Sequence, residues 1–190
     1  MASFEDKAIH YFTTTAEWES FLAADPPDDG VRLQLRKKSS AADGITWQEA
    51  LDVALCHGWI DGQSKRLDDD FMLQAFTPRR KNSPWSQINQ GHVARLIAEG
   101  RMTPAGQAEI DRAKADGRWG AAYRVKDAPV PDELRAALDA SPVAAERFAA
   151  LSGQNRWAIL FRLSQAKRDE TRTRNVAKYV AMLERGETLY

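Results

Sequence analysis

Residues 76–89 read FTPRRKNSPWSQIN, with three consecutive cations, Arg79, Arg80 and Lys81, directly before a Ser-Pro-Trp that has the form of a helix start. Free N–H groups at a helix start carry partial positive charge. Guanidinium forks beside them make a place suited to phosphate, sulfate or carboxylate. Ser83 followed by Pro84 predicts an N-cap and first helical residue, and Trp85 offers a ring on which a base or other planar group could stack. The plainer reading is that the cations pair with Asp61, or with Asp68, Asp69 and Asp70, and merely dress the surface. Exposed pairs of that kind contribute only about 0–1 kcal/mol.

A second basic run lies in AKRDETRTRNVAK, where Lys167, Arg168, Arg172, Arg174 and Lys178 outweigh Asp169 and Glu170. On a helix beginning near Asp169, Arg168, Arg172 and Asn175 share a face that could meet an anion, and Glu170 with Arg174 forms an ordinary i,i+4 pair. Packed near Arg79–Lys81, this face would complete one basic groove. Alone, it reads as a solvated helix face.

Other candidates for chemistry are weaker. Cys56 and His57 are neighbours on a helix and point about 100° apart, which suits a buried cysteine better than a nucleophile and its base. His10 and His92 stand alone, and three histidines with one cysteine match no metal-ligand spacing. Asp61, in GWIDG, is the one carboxylate placed to act as a base, although a carboxylate so close to cations is more often their structural partner. No GxxxxGK[ST] run supports nucleotide hydrolysis. The sequence therefore predicts no catalytic residue, no metal and no cofactor.

Bulk properties narrow the class. Lys plus Arg equals Asp plus Glu at 27 each, so any electrostatic function comes from local clustering. Such clustering exists: residues 1–30 hold seven acids against Lys7, whereas 77–101 hold five bases against Glu99. A single cysteine excludes an intrachain disulfide. The start MASFEDKAIHYF carries acids where an export signal needs positive charge, and no stretch approaches a membrane helix, so a cytoplasmic protein without a membrane span is expected.

The elements that would position these residues are legible. Thr14 with Glu17 and Thr46 with Glu49 have capping-box spacing and open two helices, the second with Trp47, Ala50, Leu51, Ala54 and Leu55 inward and Gly58 as its stop. VRLQLRKK alternates as a strand buried on one face, and WIDGQSKRL with FMLQAFT reads as a hairpin around Asp68–Asp70. A helix from Ser83 to Gly100 is expected to turn Ile88, Val93, Leu96 and Ile97 inward, and Thr103-Pro104 opens another. From Pro131 onward the pattern is helical. The expectation is an α+β protein with a small antiparallel sheet of about three strands packed with helices and followed by an all-helical module: residues 1–120, a linker at 121–130, and 131–190.

LCHGWIDG, FTPRRKNSPWSQIN, RLIAEGRMTPAG, AKADGRW and AKRDETRTRNVAKYVAML together resemble the YdeI/OmpD-associated, or bacteriocin-protection, family, from about Trp18 to Gly186. The resemblance implies resistance to bacteriocins or cationic antimicrobial peptides, with no established activity and no cofactor. It implies a periplasmic setting too, against the cytoplasmic expectation from the N-terminus. Positions matching its motifs include Trp59, Asp61, Thr77, Arg79, Arg80, Ser83, Trp85 and Asn89, then Lys167, Arg168, Thr171 and Arg172. The expected role is a non-enzymatic binding protein whose basic surface takes an anionic small ligand or an acidic protein surface. Two alternatives stand beside it. One is nucleic-acid binding through Arg79–Lys81, Arg172 and Arg174 with Trp85 stacking; the other is an enzyme on a small anionic substrate, with Asp61 as base and Arg79 and Arg80 as clamps.

Overall fold

The computed structural model of the protein describes residues 3–122, 130–166 and 168–190. Contacts divide the chain into two compact units, Met1–Ala122 and Tyr123–Tyr190. Most of the expected linker, 121–130, lies outside the described residues.

In the first unit the order is β1 (Ile9–Tyr11), α1 (Thr15–Ala23), β2 (Val31–Arg36), α2 (Trp47–Cys56), β3 (Trp59–Arg66), β4 (Phe71–Pro78), α3 (Gln87–Ala98) and α4 (Pro104–Ala115). Both capping boxes form, with Thr14 and Thr46 accepting from the amides of Glu17 and Glu49. The fold is α+β as expected, but the sheet has four strands in the order β1-β2-β4-β3, and β1 runs parallel to β2. β1 escapes sequence reading because it is three residues long and mostly exposed, which leaves no period to detect.

Register places Val31 opposite Phe76, Leu33 opposite Gln74 and Leu35 opposite Met72. Strand side chains alternate between faces, so these residues share the face on which the helices pack. Trp18, Leu51, Ala54, Leu55, Val93 and Leu96 join Val31, Leu33, Leu35 and Phe76 in one core. The opposite face is not simply solvated. Arg32 is buried there, donating to the carbonyls of Glu5 and Lys7 and pairing with the Glu5 carboxylate at 3.0 Å, and so it fastens the N-terminal segment to the sheet.

The third helix starts later than expected. The Ser83 hydroxyl accepts from the Arg80 amide at 2.9 Å inside a tight turn, so Ser86 caps α3 instead, accepting from Asn89. Within α3, Val93 and Leu96 are buried as expected, but Ile88 and Ile97 face out. α4 begins at Thr103-Pro104 as predicted, and the Thr103 hydroxyl also donates to the Cys56 carbonyl at 2.6 Å.

The second unit contains α5 (Asp132–Asp139), α6 (Pro142–Ala150), α7 (Gly153–Ser164) and α8 (Asp169–Glu184). Leu134, Phe148, Ile159, Leu163, Tyr179 and Leu183 form its core. Asn155, buried in α7, accepts from the amides of Leu189 and Tyr190 and donates to the Tyr190 carbonyl, holding the last residues against the helices.

Two glycines test this packing. A Cβ on Gly106 would overlap the Cys56 carbonyl oxygen, whereas Gly91, within α3, has open space around it. Gly106→Ala is expected to destabilise the first unit by about 1–3 kcal/mol despite the better helix propensity of alanine. Gly91→Ala is expected to be neutral or to stabilise by up to about 1 kcal/mol. Chemical denaturation of the two variants checks this.

Candidate functional site

β4 delivers Arg79 not to the surface but into the core of the first unit. Arg79 is 5% exposed, and its guanidinium carbon sits 3.6 Å from the centre of the Trp85 ring. Its Nη1 donates to the Pro84 carbonyl at 3.3 Å, its amide donates to Gly58, and its carbonyl accepts from Arg112. Trp85 is itself buried and packs against Trp119 at 4.8 Å between ring centres. No base can stack on Trp85 without opening the core. Thr77 pairs with Ile60 in the sheet and fills the space beneath Gly30, whose positive φ a side chain would strain. Asn89 lies in the first turn of α3. Arg80 and Lys81 stay at the exposed turn and, among the described residues, form no ion pair. The motif is thus largely a brace, with Arg118 donating to the Ser83 carbonyl at 2.8 Å to tie in the end of α4.

The acids of the hairpin turn do not neutralise these cations. Asp68 accepts from the amides of Asp70 and Phe71, Asp69 pairs with Arg66, and Asp70 accepts from Ser40. In the second unit Lys167 lies outside the described residues. Arg168 occupies the N-cap position of α8 and is exposed. Arg172 is engaged by Glu133 at 3.4 Å and Asp169 at 3.8 Å, and donates to the Ala166 carbonyl.

Asp61 stands apart from the brace. It lines a cavity of about 840 Å³ over the helix-facing side of the sheet, together with Gly62 and Ser64 of β3, Met72 and Gln74 of β4, and Thr46, Trp47 and Gln48 at the start of α2. Gln74 is buried and donates to the Gly62 carbonyl at 2.8 Å, across the point where the β3–β4 register shifts. At the end of β2 the wall is completed by Arg36, Lys37 and Lys38. Arg36 donates to the carbonyls of Gly44 and Ser40, and Lys37 to those of Asp68 and Asp69. Among the described residues none of the three forms an ion pair. Glu49 feels the charge of Arg36, but its carboxylate is held by Thr46 in the capping box.

Trp47 was expected inward; it is instead 36% exposed on the cavity lip, and its indole N–H donates to Asp61 Oδ2 at 3.2 Å. Burial raises the Asp61 carboxyl above the ordinary aspartate range, against the Trp47 bond and the charges of Arg79 and His92, which pull it down. The arrangement offers three cations, an aromatic face and a half-buried carboxylate around one cavity of ligand size. Sequence reading found Asp61 but missed Arg36, Lys37, Lys38 and Trp47. Their signal was available as a triple-cation run between a strand and a capping box, a counterpart of Arg79–Lys81. Cys56, by contrast, is chemically quiet, since burial pushes its thiol up to about 11 and thiolate is scarce at neutral pH.

Comparison with known families follows the division into units. Residues 10–109 match a domain of unknown function, DUF8412. The chain belongs to the DUF8412 family. Residues 127–186 match the family described as "Bacteriocin-protection, YdeI or OmpD-Associated", so the second unit carries a YdeI/OmpD-associated domain. That likeness is narrower than the 18–186 read from motifs, because LCHGWIDG and FTPRRKNSPWSQIN fall within the DUF8412 domain. No curated protein and no solved structure matches the chain. Among the described residues of this DUF8412 protein, no helix is long and apolar enough to cross a membrane.

Two measurements follow. Arg79→Ala should destabilise the first unit by about 2 kcal/mol through loss of a desolvated cation–π stack, while Arg80→Ala should stay within about 0.5 kcal/mol, read by tryptophan fluorescence in denaturant. For Asp61, folding raises the pKa, so the folded chain holds that proton more tightly than the unfolded chain. Its contribution is therefore present near the ordinary value of 3.8 and is lost as pH rises through the raised value. The stability of the wild type relative to Asp61→Asn should increase as pH falls from 7 toward 4; a flat difference would contradict a raised Asp61 pKa.

Proposed function

We propose that the protein is a non-enzymatic binding protein of bacteriocin and cationic-antimicrobial-peptide resistance, and that it takes an anionic ligand in the cavity between α2 and the sheet. The family description of the second unit supports the first half of this reading. The second half rests on one observation: Arg36, Lys37 and Lys38 line one end of a cavity of about 840 Å³, where carbonyl oxygens rather than carboxylates hold Arg36 and Lys37 and where Lys38 is exposed. A carbonyl orients a cation without cancelling its charge, so positive potential reaches the cavity. Trp47 and Met72 supply apolar surface for the body of the ligand.

The simplest probe is 4-methylbenzoate, which has one anionic group on an apolar ring. Titrated into the 15N-labelled protein, it should move the Trp47 indole N–H resonance, with an affinity that weakens as salt is added. Lys38→Gln, which alters an exposed side chain, should weaken it about 2–5-fold. An unmoved Trp47 resonance, or binding indifferent to both salt and Lys38, would remove this reading.

A further inference from the structure

The cavity is not uniformly positive, and that asymmetry says more about its occupant. Its cations sit at the end of β2, while its carboxylate, Asp61, sits on β3 with β4 between them. Along β4, Arg36 lies opposite Phe71 and Asp61 opposite Phe76. At ~3.4 Å per residue the two ends are separated by about 17 Å along the strands and by about 10 Å across two strand spacings, about 20 Å in all, of which the aspartate side chain spans about 2–3 Å. With the reach of a lysine stem taken off, a span of about 10–14 Å remains, which is that of an extended peptide of three or four residues.

The carboxylate end has room for a donor. Asp61 Oδ2 accepts from the Trp47 indole, and a carboxylate offers about four lone-pair sites in all, so an ammonium can bind beside that bond. The charges that act on Asp61 from the elements around it are Arg79 and His92. Arg79 is turned to the Trp85 ring and the Pro84 carbonyl. Met72, opposite Leu35, lies beside the cation end, and Trp47, bonded to Asp61, lies at the carboxylate end.

Building on the anion-binding reading above, we propose that the occupant is a short peptide, its carboxylate at Lys37 and Lys38, an apolar side chain against Trp47 and Met72, and its free amino group on Asp61. A ligand with charge at one end only would leave either the cations or the carboxylate unanswered. An amphoteric ligand of this length satisfies both.

The test uses one peptide, Ala-Phe-Ala, with its ends free, N-acetylated or C-amidated, titrated into the full chain and followed by the Trp47 indole resonance. In the wild type, acetylation should weaken binding about tenfold, the loss of one charge-assisted hydrogen bond. Asp61→Asn should abolish the difference between free and acetylated peptide while leaving the acetylated form bound as in the wild type, which also shows that the variant is folded. Lys37→Gln with Lys38→Gln should instead abolish the difference between acid and amide. If acetylation changes nothing in the wild type while amidation still weakens binding, the peptide assignment falls and the anion site stands. If amidation changes nothing either, both fall.

Discussion

Everything in the first unit turns on the way Trp18 is enclosed. The indole has no exposed surface, and its N–H donates to the Ala50 carbonyl at 3.1 Å, so α1 is tied to α2 through a bond that has no competing water. A buried indole N–H left without that acceptor would carry the cost of an unmet donor, on the order of 1–3 kcal/mol. Around the same ring, Phe12, Phe21, Trp59 and Phe76 pack with centres 5.5–6.1 Å away, from the segment before α1, from α1 itself, and from β3 and β4. One side chain therefore sets the height of α2 over the sheet. The start of that helix, carrying Thr46 and Trp47, is then held above β3 and β4 with the cavity beneath it.

A second constraint holds the other flank of α2. Asp52 is buried and accepts from Arg95 at 2.7 Å through both of its oxygens, with Arg101 at 3.9 Å, so that α3 cannot slide along α2. Charge here serves registry between helices, a role for which a pair with both members satisfied is well suited. The same distinction separates the two triple-cation runs. Arg79 is drawn inward by the Trp85 ring, while Arg36 and Lys37, which line the cavity, are held by carbonyls of neighbouring turns. Both runs look alike as text; the partner chosen by each guanidinium or ammonium decides which supports the fold and which faces a guest.

Local signals were read well where the physics is local. Thr14 and Thr46 cap the helices they were expected to cap, because a hydroxyl and a glutamate three residues on need only each other's backbone. The β3–β4 hairpin formed around Asp68–Asp70 without an Asn-Gly turn, helped by Asp68 accepting from two amides of its own turn. Ser83 failed as a cap for an equally physical reason: its hydroxyl found the Arg80 amide first, and Ser86 was next in line. β1 was invisible because three residues held by one parallel neighbour carry no pattern of their own. Of the candidate site, Asp61 was legible and the cations and indole that share its cavity were not, since Arg36 and Asp61 are brought together only through their pairing with β4.

By itself, then, the order of residues determined the α+β class, most helix boundaries, the hairpin and the family likeness of the C-terminal domain, all of which depend on neighbours a few positions apart. Tertiary structure alone decided which charges are internal. Burial of Arg79 against Trp85, exposure of Trp47 over Asp61, and capture of Arg172 by Glu133 are each set by partners distant in sequence or by a local turn that reorients the chain. Charge availability is a property of the dielectric and the partners around a group, and those exist only once the chain has packed.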